Sequence, residues 1–155
     1  MPETSLPQLL KDYPVITKRV VNWRDIDPAL HVSNTKYLEW AEMGRIDYLG
    51  KYYQRVDQKE GEGIGPVIAA IKIQYLYPVG FPDEVLIGTR MFEMGGYKYV
   101  LEANIVSQKY QKSVAKAKSK MVLFDFVKGK KVKLPESFHE SIKQFEADIL
   151  SLPRT

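Results

Sequence analysis

Two carboxylates two residues apart, Asp25 and Asp27, stand just before a segment that reads as a long helix. The backbone N–H groups that open a helix lack intrahelical acceptors and carry the positive end of its dipole. A carboxylate beside such amides sets a general base or nucleophile next to donors that polarise a carbonyl. That is equipment for attack on an acyl group. The same spacing also suits a plain cap, since acidic residues before a helix accept hydrogen bonds from its first turn.

The elements that must position these residues follow from pattern. Residues 15–23 are rich in β-branched side chains and predict a strand, and 24–30, with Pro28, predict a loop. Over 34–53, Leu38, Ala41, Tyr48, Leu49 and Tyr52 recur at helical spacing without proline, with Ser33 or Asn34 as the cap. Gly44 inside that helix costs ~1 kcal/mol relative to alanine, which suits a position that something approaches closely. A polar crossing and a glycine-rich loop at 61–65 lead to strands at 66–77, 84–94, 97–108 and 113–127, then to a weaker amphipathic helix at 135–152. Gly95-Gly96 is a hairpin signal. One long helix wrapped by a five-stranded, mostly antiparallel sheet is an α+β layer arrangement, expected as one domain over 1–155 with its core at 15–132.

Composition removes other chemistries. The 155 residues include no cysteine and only 2 histidines, so thiol nucleophiles, disulfides and Cys-ligated metals are excluded and a His-rich metal centre is not expected. No G-x-S-x-G, dinucleotide fingerprint or phosphate-loop motif occurs. The net charge of +4 suits anionic ligands without implying nucleic acid, and no apolar run is long enough for a membrane span. The amino terminus reads as neither signal nor transit peptide, so a cytoplasmic protein is expected.

The segment 21–50 resembles hotdog-fold thioesterases of the 4-hydroxybenzoyl-CoA thioesterase type and their acyl-CoA hydrolase relatives. Their pattern is close to D-x-D-x-x-G-H-V-N-N-x-x-Y-L followed by E-x-x-R. It is met here by Asp25, Asp27, His31, Val32, Asn34, Tyr37 and Leu38, then Glu42 and Arg45. Leu30 stands in place of the usual glycine and Ser33 in place of the first asparagine. A glycine there supplies a backbone shape or room for the thioester.

The resemblance implies a hotdog fold and hydrolysis of an acyl-CoA thioester to a free acid and coenzyme A, without metal or redox cofactor. It makes Asp27 the catalytic carboxylate, as base or nucleophile, and Asp25 a support of the loop. His31, Val32, Ser33, Asn34, Thr35 and Tyr37 form the substrate and oxyanion region. Glu42 and Arg45, three apart, form a supporting pair. Other hotdog thioesterases carry the carboxylate on the helix, where Glu39 and Glu42 stand here. A homodimer or tetramer is implied, with partner residues completing the acyl pocket. Related readings are an acyl-carrier-protein thioesterase, a dehydratase, or a non-catalytic acyl-binding scaffold.

Residues 109–133 carry 9 lysines and one acid, Asp125. The two-residue period puts Lys116, Lys118 and Lys120 on one face with Val114, Val122 and Phe124. They are candidates for coenzyme A phosphate contacts, against the plainer reading of a solvated sheet face.

Overall fold

The computed structural model describes residues 6–55 and 63–153. Most of the polar crossing, and residues 61 and 62 of the glycine-rich loop, lie outside the described residues.

A short helix α1 (Leu6–Leu9) precedes β1 (Val15–Val20), and a 3-10 turn at Trp23–Asp25 leads through the loop to α2 (Asn34–Arg55). Strands β2 (Ile64–Tyr75), β3 (Glu84–Gly95), β4 (Lys98–Ser107), β5 (Lys112–Asp125) and β6 (Lys130–Val132) follow, then α3 (Phe138–Leu150). The sheet runs β1-β3-β4-β5-β2, with every pairing antiparallel. It has six strands rather than the expected five, because β6 pairs with β5 at Leu123–Asp125, past the point where β4 begins opposite Val122. Three lysine-rich residues carry too little alternation to announce a strand.

α2 lies on one face of the sheet, buried through Tyr37, Trp40, Ala41, Gly44, Tyr48 and Tyr52. These recur at three and four residues, the spacing of a single helical face. Leu38 lies off that face, 40% exposed. Gly44 is the close approach its position suggested: a Cβ there would meet Thr89 Oγ1 and, at 2.9 Å, Ile87 Cγ2. Replacing the hydrogen of Gly44 by a methyl would therefore push α2 off β3.

The core divides along α2. Around its first half, Trp40 and Ala41 pack with Val79, Val85, Ile87 and Ile105. Around its second half, Tyr48 and Tyr52 pack with Tyr99, Leu101, and with Phe138, Ile142 and Phe145 of α3. α3 thus covers the end of α2 remote from Asp27, and Glu146 fastens it by accepting hydrogen bonds from Tyr48 Oη at 2.5 Å and from Met91 N at 2.7 Å. On the opposite sheet face, Leu10 and Tyr13 pack on Val106 and over Gly88.

A bulge between β4 and β5 at Ile105/Val106 shifts the alternation of β5. Val114 is consequently buried in the core with Ala115, and not on the lysine face expected for it. Lys116, Lys118 and Lys120 are exposed on the outer face, with Val122 and Phe124 continuing their row. No described helix is long and apolar enough to cross a membrane.

Candidate active site

The loop ahead of α2 is closed on itself by its backbone. Asp27 N donates to His31 O at 2.8 Å, Leu30 N donates to Asp27 O at 2.9 Å, and Ile26 bridges to Val32. Such a closure demands a left-handed residue, and Leu30 supplies it at φ +68°. This is where the departure from the glycine pattern is felt. The Leu30 side chain is 69% exposed and lines no part of the cavity described below, so it does not narrow that cavity.

The two aspartates separate in their surroundings. Asp25 Oδ2 accepts from Asn22 N at 2.8 Å, its backbone O accepts from Ser33 N at 2.9 Å, and its Oδ1 lies 3.4 Å from Lys36 Nζ. Both of its oxygens are thus engaged in tying the loop to the first turn of α2. Asp27 Oδ1 accepts from Ala29 N at 2.9 Å and His31 N at 3.3 Å, while its Oδ2 accepts from no described residue. One oxygen is fixed by two amides and the other by none, and Asp27 lines a cavity.

The cavity measures about 410 Å³. Asp27, His31, Val32, Asn34 and Tyr37 form one wall, and the end of β2 with the residues after it, Tyr75 to Pro78, forms the other. Tyr75 packs edge-on against Tyr37 at 5.2 Å and its hydroxyl donates to Asn34 O at 3.3 Å, which joins the end of β2 to the start of α2. Val32 N donates to Val79 O at 2.7 Å and anchors the same junction. Tyr37 both lines the cavity and belongs to the core; burial pushes its hydroxyl above the usual tyrosine range.

α2 begins at Asn34, leaving Ser33 in the capping position, with its hydroxyl 3.1 Å from Thr35 Oγ1. The Asn34 and Thr35 amides meet no acceptor among the described residues, as expected of the first positions of a helix. Asn34, with its unpaired amide, and Asp27 line the same cavity, whereas Ser33 and Thr35 are not among its lining residues. The arrangement can hold a carbonyl oxygen against N–H donors while a carboxylate faces the carbonyl carbon or a water beside it.

The helix carboxylates are occupied elsewhere. Glu39 pairs with Lys36 at 2.8 Å, and that hydrogen bond, with Asp25 alongside, holds the Lys36 ammonium above its usual range. Glu42 is exposed and lies 3.9 Å from Arg45. Arg45 is buried and donates to Ser119 Oγ at 3.0 Å, linking α2 to β5; its burial lowers the guanidinium below its usual range. Neither glutamate lines the cavity, and neither do Lys116, Lys118 or Lys120. Among the described residues no cluster of three His, Asp or Glu side chains is placed to hold a metal ion.

The wall from Tyr75 to Pro78 was not foreseen from sequence. Its only signal is the run Tyr75-Leu76-Tyr77-Pro78, in which a tyrosine ends the strand and a second tyrosine and a proline follow it.

Comparison with known proteins agrees with this geometry. The sequence profile of the thioesterase-like superfamily matches residues 21–142. A thioesterase from Thermus thermophilus, crystallised with coenzyme A and zinc, is 31% identical, with a TM-score of 0.71 over 88% of this chain and 97% of that one. A probable thioesterase from Escherichia coli is 26% identical, with a TM-score of 0.72 over 84% and 97%. A Staphylococcus aureus DHNA-CoA thioesterase shares the fold at 19% identity, with a TM-score of 0.70 over 85% and 90%. Among curated proteins no significant match is found. A long helix against an antiparallel sheet is thus the hotdog fold of a thioester hydrolase, and the chain belongs to the thioesterase-like superfamily.

Proposed function

We propose that the protein hydrolyses acyl-CoA thioesters, with Asp27 as the catalytic carboxylate. The observation that carries this reading is the unequal treatment of the two Asp27 oxygens: Oδ1 is held by two backbone amides and Oδ2 by none, in a residue that lines the same cavity as Asn34, whose amide is unpaired. In the proposed reaction the thioester carbonyl lies against the Asn34 and Thr35 amides, which take up the negative charge that develops on oxygen. Asp27 either removes a proton from the attacking water, the tetrahedral adduct then breaking its C–S bond and the leaving thiolate taking that proton, or attacks the carbonyl itself, expelling the thiolate and leaving a mixed anhydride that water opens; 18O found in Asp27 after a single turnover in 18O-water marks the second route. The bound coenzyme A in the Thermus thermophilus relative supports the carrier assignment. Neither step calls for a cofactor, so dialysis against a chelator is expected to leave turnover unchanged.

The working unit proposed is a homodimer, or a tetramer built from it. β2 is a 12-residue edge strand with no partner on its outer side among the described residues, and it presents Ile68 exposed and Ile71 and Ile73 half-buried. A long apolar edge is a pairing surface. The test is thiol release from a panel of acyl-CoA thioesters by the parent and by Asp27→Asn. Release that depends on Asp27 supports the reading; no release from any thioester refutes it.

A further inference from the structure

Tyr77 belongs to the cavity wall, and its ring also meets Tyr110 of the β4–β5 turn edge-on, at 5.0 Å and 63°. Each ring carries a lysine: Lys112 Nζ lies 4.0 Å from the Tyr77 centroid and Lys109 Nζ 5.6 Å from that of Tyr110. Both lysines are exposed, and neither forms an ion pair with a described residue. Lys36, in the first turn of α2, is already paired with Asp25 and Glu39.

The turn that carries these groups is tightly specified. Asp83 accepts from Ser107 Oγ and from Lys109 N, Ser107 Oγ accepts from Tyr110 N, and Gln111 N donates to Ser107 O. Gln111 holds φ +55°, a left-handed conformation that a non-glycine residue adopts at a cost. Across from it, the Leu76 and Tyr77 amides both donate to Val114 O, which fixes the cavity wall against the start of β5. A strained, heavily bonded turn thus sets two uncompensated cations beside the rim of the cavity.

We propose that Lys109 and Lys112, held on Tyr110 and Tyr77, bind the phosphates of the coenzyme A carrier while its thioester sits at Asp27. This rests on the acyl-CoA reading above. The phosphates lie at the far end of the pantetheine arm from the reacting carbonyl, so they need cations outside the cavity and not within it. A lysine resting on an aromatic face is restrained by the ring quadrupole yet keeps N–H donors for a phosphate. The outer-face lysines are differently placed. Lys118 pairs across the sheet with Glu102 and Lys72, and its ammonium rests on Phe92 at 3.9 Å.

The test compares kcat/KM for one acyl group carried on coenzyme A and on pantetheine, which lacks the phosphates. For Lys109→Gln with Lys112→Gln, the acyl-CoA value is expected to fall about tenfold, through KM, with the acyl-pantetheine value unchanged. The rise of KM with salt seen for the parent on acyl-CoA should flatten. An unchanged ratio of the two substrates overturns the proposal. So does an equal loss on both, or a fall in the ratio only when Lys116, Lys118 and Lys120 are replaced instead. A parent protein that turns over neither thioester refutes the acyl-CoA reading separately. Calorimetric binding of coenzyme A against pantetheine then reads the same phosphate preference directly, and equal affinity overturns it.

Discussion

Asp27 and His31 hold each other twice: the Asp27 amide donates to the His31 carbonyl at 2.8 Å, and the His31 amide donates to Asp27 Oδ1 at 3.3 Å. The first bond closes the loop and the second aims the carboxylate. Because the aim comes through Oδ1, Oδ2 accepts from no described residue, and Asp27 lines the cavity.

Asp27→Asn should keep this geometry, since an amide oxygen replaces Oδ1 as acceptor, while removing the base or nucleophile. Loss of a general base alone is worth roughly 10²–10⁴ in rate. The expected outcome is kcat reduced by at least that range with the melting temperature nearly unchanged. Asp25→Asn should do the reverse, because its oxygens serve Asn22 and Lys36. It should destabilise the fold by about 1 kcal/mol and leave most turnover. Thiol-release kinetics and thermal melts on both variants check the separation; turnover lost with Asp25 and kept with Asp27 would reverse the assignment.

Leu30→Gly should raise stability. Leucine at φ +68° pays a left-handed penalty that glycine does not, and the exposed side chain gives little back. The expected gain is about 0.5–1 kcal/mol, read by denaturant unfolding, with the acyl selectivity profile unchanged. A broadened substrate range would instead mean that Leu30 shapes the pocket in the assembled protein.

The long helix, the main strands and the hairpin were legible because each repeats its own signal over many residues. Even so, the glycine turn sits one residue later than expected: Gly95 ends β3, and Gly96, at φ +63°, begins the turn with Tyr97. The loop aspartates were legible as a pair, but their different surroundings depend on Lys36 and Asn22, which only the folded loop brings together. The second cavity wall was not legible. Tyr75 reaches Asn34 across 41 positions of chain, and no local pattern encodes that meeting. Val114 was misplaced for a related reason: the bulge that turns it inward comes from register with β4.

Gly44→Ala should destabilise the protein by about 1–3 kcal/mol, against the usual preference of helices for alanine. The added methyl would meet Ile87 and Thr89 on β3. Urea unfolding is the measurement, and equal or greater stability of the alanine variant would contradict the close packing of α2 on the sheet.

Ile68→Lys should break the proposed dimer. Ile68 sits beside the β2 bulge at 42% exposure on the free edge strand, where a lysine is a common guard against pairing. Light scattering should show the parent at twice the 17.9 kDa chain mass or a multiple of it. The variant should shift toward that single-chain mass and lose turnover with it. A parent that is monomeric and active would sink the dimer proposal.

The anchor of α3 should be sensitive to pH. Burial raises the Glu146 carboxyl above its ordinary value, the hydrogen bonds from Tyr48 and Met91 opposing that shift only in part. A carboxyl whose folded pKa exceeds its unfolded one binds its proton more tightly in the folded state. Its contribution to stability is therefore fully present below the unfolded value and is lost as pH rises through the folded one. Glu146→Gln keeps an oxygen for Tyr48 and Met91 but carries no charge to desolvate. The expected result is a variant at least as stable as the parent at neutral pH, whose stability no longer declines above pH ~4.5, the ordinary glutamate range. Denaturant unfolding of both proteins from pH 4 to pH 8 makes the comparison; a variant that is less stable throughout, with the parent's slope retained, would show that the charged form is the one the fold favours.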